Sequence, residues 1–144
     1  MHILSPLVRA ALLAGAVGCG PDYAWRPADV EVVRSAPAPG GARSALLVRH
    51  VARHALDSDT YKVVVAAGAP PADAAVARLA DTAYVVHATA AGALALRWAG
   101  DTALTVVCAG CGLEAFDVME RRDRLGPVRV TYEGFPRGTA DSAR

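Results

Sequence analysis

Residues 94–111, LALRWAGDTALTVVCAGC, form the stretch around which the rest of the chain is arranged. Its large apolar residues alternate with smaller or polar ones: they are Leu94, Leu96, Trp98, Leu104, Val106 and Cys108. Because side chains alternate across a strand, this period of two predicts two strands that each bury one face. Ala99-Gly100-Asp101 suits a tight turn between them, since Gly accepts a positive φ and Asp tolerates it. We therefore expect a central hairpin, with Trp98 and Leu104 packed in the core near the turn.

Similar strand patterns lie on both sides of this hairpin. They are Val30–Val32 as a short edge strand, Ala45–Arg53, Thr60–Ala66, Tyr84–Ala88 and Val128–Tyr132. Ala72–Ala80 has good helix propensity, with Pro71 suited to the first helical position. Short turns between successive strands favour antiparallel neighbours. The sequence predicts a mainly β fold: a small single-domain antiparallel sheet or sandwich of six to seven short strands, with at most one short helix.

The segment 113–124 permits two interpretations. A helix would place Glu114 and Asp117 early and the arginines late, which suits the helix dipole. The alternative is a strand at Ala115–Met119 followed by a charged turn at 120–126. Because the apolar residues form no continuous helical stripe, we favour the strand and turn.

Composition limits the function classes. The chain has 144 residues, enough for one domain, and a net charge of +1. Residues 1–18 hold Arg9 as their single charged side chain, so the remainder carries 14 basic and 14 acidic residues. A neutral chain without a basic face argues against nucleic acid as a partner.

The N-terminus has the parts of a secretory signal. Arg9 supplies positive charge, Ala10–Val17 forms a short apolar run, and small residues lead to Gly18-Cys19. The run is too short to span a bilayer, which takes about 18–20 apolar residues. Ala16-Val17-Gly18-Cys19 resembles the lipobox of bacterial lipoproteins, although Ala16 stands where leucine is commonest.

The lipoprotein resemblance implies cleavage before Cys19 and acylation at that cysteine. Lipid chains would then anchor the protein to a membrane of the cell envelope. Gly20 follows the acceptor, where Asp would favour inner-membrane retention in enterobacterial lipoproteins, so the outer membrane is favoured if the source is Gram-negative. Ordinary secretion and a buried N-terminal helix remain the alternatives.

These signals divide the chain into four parts. We expect a signal peptide at 1–18, a lipidated cysteine and tether at 19–43, and a flexible tail at 134–144. The β domain would span 44–133, or begin near residue 28 if the edge strand belongs to it. Ser35–Gly41 is assigned to the linker because Pro and Gly interrupt regular structure.

Cys108-Ala109-Gly110-Cys111 is a closely spaced cysteine pair, the sequence pattern here that most clearly indicates chemistry. In an oxidising envelope such a pair is expected to form a disulfide, with β-structure ending at Cys108 so that a turn can close the bridge. A redox-active pair, reduced thiols and a zinc site shared with a second copy are the alternatives. A thioredoxin-like fold is disfavoured because only 33 residues follow Cys111.

No other pattern identifies a catalytic residue, a cofactor site or a metal site. His50 and His54 could share an ion on a helix, but on a strand they would stand about 13 Å apart. Two function hypotheses follow. The first is an envelope lipoprotein that acts as a binding or structural module, with an unidentified envelope protein as a possible partner. The second is a membrane-tethered thiol–disulfide protein that uses Cys108 and Cys111.

Overall fold

The structure is a computed structural model that describes residues 25–54, 58–89, 93–109 and 118–135. In chain order its strands are β1 (Val30–Pro37), β2 (Arg43–His50), β3 (Thr60–Ala67), β4 (Tyr84–Ala88), β5 (Ala93–Trp98), β6 (Ala103–Ala109), β7 (Val118–Arg121), β8 (Arg124–Leu125) and β9 (Val128–Glu133). The helix α1 (Asp73–Thr82) connects β3 to β4, and a 3-10 turn at Pro27–Asp29 precedes β1. The described part of the chain is therefore mainly β with one α-helix, as the sequence predicts.

The strands form two sheets. The first has the order β1-β2-β3-β4-β7, and every neighbouring pair is antiparallel. The second has the order β5-β6-β9-β8, in which β6 and β9 are parallel. The described residues thus hold nine strands rather than six to seven, and one pair is not antiparallel. The chain crosses from the first sheet to the second between β7 and β8. The strand β9 then pairs with β8 on one side and, in parallel, with β6 on the other.

The central hairpin forms as predicted. Trp98 lies opposite Leu104 and Leu94 opposite Cys108. Gly100 has a φ of 73°, a value that glycine adopts without strain. The Asp101 carboxylate accepts a hydrogen bond from the Gly40 N–H at 2.7 Å, which ties this turn to the loop before β2.

The main core lies between the two sheets. It is built from buried residues of both inner faces, namely Ala45, Leu47, Val63, Val65, Val85, Val86, Ala88, Leu94, Leu104, Val106, Cys108, Val128 and Val130. The helix covers the outer face of the first sheet, where Val76 and Ala80 pack against Leu46, Val48 and Val64. The strands β2 and β3 are buried on both faces, which explains their nearly unbroken apolar runs.

The first strand corrects the predicted linker. Ser35, Ala36 and Pro37 belong to β1 and pair with β2. Pro37 is compatible with this position because β1 is an edge strand of its sheet. The indole Nε1 of Trp98 donates a hydrogen bond to the Ala36 carbonyl at 2.9 Å, so the second sheet fixes the segment. The folded domain therefore begins well before residue 44 and includes the edge strand, as the alternative start near residue 28 predicts, and it extends back to Trp25.

Strand ends also differ from those predicted. The strand β2 ends at His50 rather than Arg53, and β6 continues to Ala109 rather than ending at Cys108. The strand β7 overlaps the predicted Ala115–Met119 strand at its last two positions and extends to Arg121. Its final residues pair with β4, so pairing rather than charge decides where this strand ends. The start of the 113–124 segment lies outside the described residues.

Candidate functional site

The residues predicted from the sequence to carry chemistry are only partly described. Cys19 and Cys111 lie outside the described ranges. Cys108 lies on the inner face of β6, is 3% exposed, and is disulfide-bonded. Its pairing with Cys111 stays a prediction. Burial shields a sulfur from attack, so the position of Cys108 favours a structural role over redox exchange.

A row of directly opposed residues crosses the outer face of the first sheet. The row is Val32, Val48, Lys62, His87 and Glu120, on β1, β2, β3, β4 and β7. The first two residues of the row, on β1 and β2, are apolar, and the last three, beginning with Lys62, are polar. Opposed residues share a face with their Cβ atoms about 5 Å apart, so the polar half of the row is a set of neighbours. We call Trp25, Lys62, Tyr84, His87, Glu120 and Arg122 the Lys62 cluster.

Lys62 is the single lysine of the chain, and it is only 7% exposed. Its Nζ donates a hydrogen bond to the Ala80 carbonyl oxygen at 2.6 Å and lies 4.0 Å from a carboxylate oxygen of Asp81. Ala80 lies in the last turn of α1, where carbonyls lack partners within the helix. The ammonium group therefore caps the C-terminal end of the helix and joins it to the sheet.

Two aromatic rings enclose the Lys62 ammonium. The Nζ lies 4.5 Å from the ring centroid of Trp25 and 4.5 Å from that of Tyr84. Such cation–π contacts compensate in part for the loss of water around a buried charge. Burial still lowers the pKa of Lys62 below its usual value, and Asp81 and Glu120 oppose that shift.

Trp25 packs into the domain. Its indole stacks on the His50 ring with centroids 5.0 Å apart, and it meets the His87 ring edge-on at 6.4 Å. Trp25 is thereby fixed at the end of the first sheet where β2 ends and β3 begins.

Glu120 accepts two hydrogen bonds from other members of the cluster. Its carboxylate accepts a hydrogen bond from the Tyr84 hydroxyl and another from the Arg122 Nε, the latter at 3.1 Å. The Arg122 guanidinium also lies 4.0 Å from the Tyr84 ring centroid. These hydrogen bonds, with the Tyr84 bond the largest cause, lower the pKa of Glu120. The polar groups of the cluster are thus paired with one another, and their contacts connect α1 with β3, β4 and β7.

We expect the protein to lose stability as the pH falls below 6.5, and His87 to be one cause of this loss. Burial first, and then the charge of Lys62, lower the pKa of His87 below 6.5. Between the folded-state pKa and 6.5 the unfolded chain binds more protons, so stability falls as pH falls through that window. His87→Gln should make this loss smaller in urea denaturation at pH 7.5 and pH 5.5. The exposed His54 offers a control, and an equal reduction in His54→Gln would contradict the assignment.

A second polar location lies on the outer face of the second sheet. Arg124 of β8 stands directly opposite Arg129 of β9, and both side chains are exposed. They line a cavity of 330 Å³ together with Thr102, Ala103 and Pro127.

No family model, curated protein or solved structure matches the chain. In the described ranges, no group of three or more His, Cys, Asp and Glu side chains is arranged to hold a metal ion. The helix in these ranges is also too short to cross a membrane.

Sequence reasoning missed both polar locations, although each had a signal. A charged residue inside the apolar run TYKVVVA indicates a buried partner for Lys62. Gly126-Pro127 between Leu125 and Val128 indicates a two-residue hairpin, which would place Arg124 opposite Arg129. The neighbours of Lys62 were not predictable in the same way, because they come from β4, β7 and the chain before β1.

Proposed function

We propose that this chain is an exported lipoprotein, anchored through Cys19, whose β sandwich serves as a binding or structural module of the cell envelope. The observation that carries the proposal is the position of Trp25. It stands six residues after Cys19 and is already packed against His50 and Lys62. Six residues span at most about 22 Å, so an anchor at Cys19 would hold the domain directly at the membrane surface.

The rest of the structure is consistent with a module that is held in place by such an anchor. The first sheet is covered by α1 on one face and by the second sheet on the other. Lys62 binds the last turn of the helix through Ala80 and also contacts the Trp25 ring. The thiol–disulfide alternative is less well supported, because Cys108 is buried in the core between the sheets.

Substitution of Cys19 tests the anchor. In bacteria that process lipoproteins, we expect the full chain to fractionate with membranes and Cys19→Ser to leave the membrane fraction almost completely. Two or three acyl chains give stable attachment, whereas the domain alone has no lipid chain. Cys111→Ser is the matched cysteine control and should remain with the membranes.

Mass spectrometry supplies the independent readout. The mature protein should lack residues 1–18 and carry added acyl mass on its first residue. An intact N-terminal peptide containing Met1, or membrane attachment unchanged in Cys19→Ser, would contradict the proposal.

A further inference from the structure

The β8–β9 hairpin brings two arginines together at its base. Its two-residue turn is Gly126-Pro127, with Leu125 opposite Val128 and Arg124 opposite Arg129. Gly126 has a φ of 55°, which the turn requires and which glycine supplies. Directly opposed side chains of an antiparallel pair have their Cβ atoms about 5 Å apart, so both guanidinium groups can reach one ligand.

The neighbouring strand completes a concave site. Ala103 of β6 pairs with Arg129, and the Arg129 N–H donates to the Thr102 carbonyl at 2.8 Å. These residues and Pro127 line the cavity of 330 Å³ that holds the two arginines. The cavity is open to solvent on one side and has room for a small oxyanion with part of its parent molecule.

Within the described residues, no acidic side chain pairs with the two arginines of this cavity. Neither Arg124 nor Arg129 forms an ion pair in the described structure, whereas Arg97 pairs with Glu133 and Arg53 with Asp29. Like charges directly opposite one another on a sheet are destabilising. An anion between the two guanidinium groups would remove this repulsion.

We propose that Arg124 and Arg129 bind a phosphate group. A guanidinium presents a planar fork of donors that matches phosphate or carboxylate oxygens. One fork can engage both oxygens of a carboxylate, whereas a phosphate group carries more oxygens and more negative charge and can present a separate pair of oxygen sites to each fork. Thr102 also lines this cavity.

The position of the cavity favours phosphate that does not belong to the anchoring membrane. Arg43, at the start of β2, donates a hydrogen bond to the Asp101 carbonyl beside Thr102. His50, at the end of β2, stacks on Trp25 near the proposed anchor. Seven residue steps along β2 separate these ends by about 23 Å. The site lies on the domain itself and does not depend on lipidation of Cys19.

Inorganic phosphate is the first probe. The detergent-purified full chain would be titrated calorimetrically with phosphate, and with acetate, at constant ionic strength set by chloride. We expect saturable phosphate binding that weakens at least tenfold in Arg124→Gln and in Arg129→Gln, with acetate binding more weakly. Arg78→Gln, an exposed arginine on α1, is the matched control and should bind like the wild-type protein.

Thermal unfolding separates a lost site from a lost fold. Without phosphate, Arg129→Gln should unfold at the same or a higher temperature than the wild type, because one like charge is removed. Phosphate should then raise the midpoint of the wild type but not that of Arg129→Gln. No saturable binding of phosphate, equal affinity in all variants, or preference for acetate would overturn the proposal.

Vesicles distinguish the source of the phosphate group. Binding of inorganic phosphate that is not displaced by phosphatidylglycerol vesicles supports a soluble or polymer-borne phosphate. Displacement by those vesicles, but not by phosphatidylcholine vesicles, keeps the phosphate site and assigns it to an anionic lipid headgroup. Cys19→Ser should bind phosphate like the wild type, so the anchor and the phosphate site can fail separately.

Discussion

Lys62→Ala is expected to lower the free energy of unfolding by about 3 kcal/mol, the range of a buried long side chain truncated to alanine. The substitution removes the buried stem and both cation–π contacts, and it leaves the Ala80 carbonyl without its 2.6 Å donor. An unsatisfied buried acceptor alone costs about 1–3 kcal/mol. Equilibrium urea denaturation, followed by the fluorescence of the two tryptophans, would measure the loss.

Lys62→Met is the matched control for this prediction. Methionine keeps most of the volume and the apolar stem but removes the buried charge, whose desolvation is itself unfavourable. Both variants leave the Ala80 carbonyl without its donor, but only Lys62→Ala also removes the buried stem, so we expect a clearly smaller loss for Lys62→Met. Removing the charge should also raise the pKa of His87, which is measurable by NMR titration. Equal losses in both variants, with the pKa of His87 unchanged, would show that Lys62 does not organise the cluster.

Leu104→Ala is expected to destabilise the domain by about 2–5 kcal/mol, because it opens a cavity between the sheets. Leu104 is fully buried and lies opposite Trp98 at the turn end of the central hairpin. Urea denaturation should show a lower midpoint with an unchanged slope if the rest of the fold is retained.

Leu96→Ala provides the comparison on the same hairpin. Leu96 packs against the same core but is only partly buried, so its truncation removes fewer contacts and leaves a space that water can reach. We expect less than half the loss seen for Leu104→Ala. A larger loss at Leu96 than at Leu104 would mean that the hairpin does not pack against the first sheet as described.

Local sequence patterns were sufficient to predict several strands and the helix. The Trp98–Leu104 hairpin, the strand at 60–66 and the last strand follow from apolar alternation. The helix follows from propensity, although it begins at Asp73 and Pro71 therefore precedes it rather than occupying its first position. Each depends on contacts within a few residues, which a sequence pattern can encode. The alternation of Tyr61, Val63 and Val65 against Lys62 and Val64 also assigns the two faces of β3 correctly, since the first set lies toward the main core.

The contacts between distant segments could not be predicted from local patterns. Ser35–Pro37 looks like a linker, yet it pairs with β2 and accepts a hydrogen bond from Trp98, 62 residues away. The strand β9 pairs with β6 in parallel, and this is what places Arg129 beside Thr102. Lys62 gains Trp25, Tyr84 and Ala80 from three separate parts of the chain. Long-range pairing and burial override local composition at these positions, because the free energy of packing depends on neighbours that sequence spacing does not reveal.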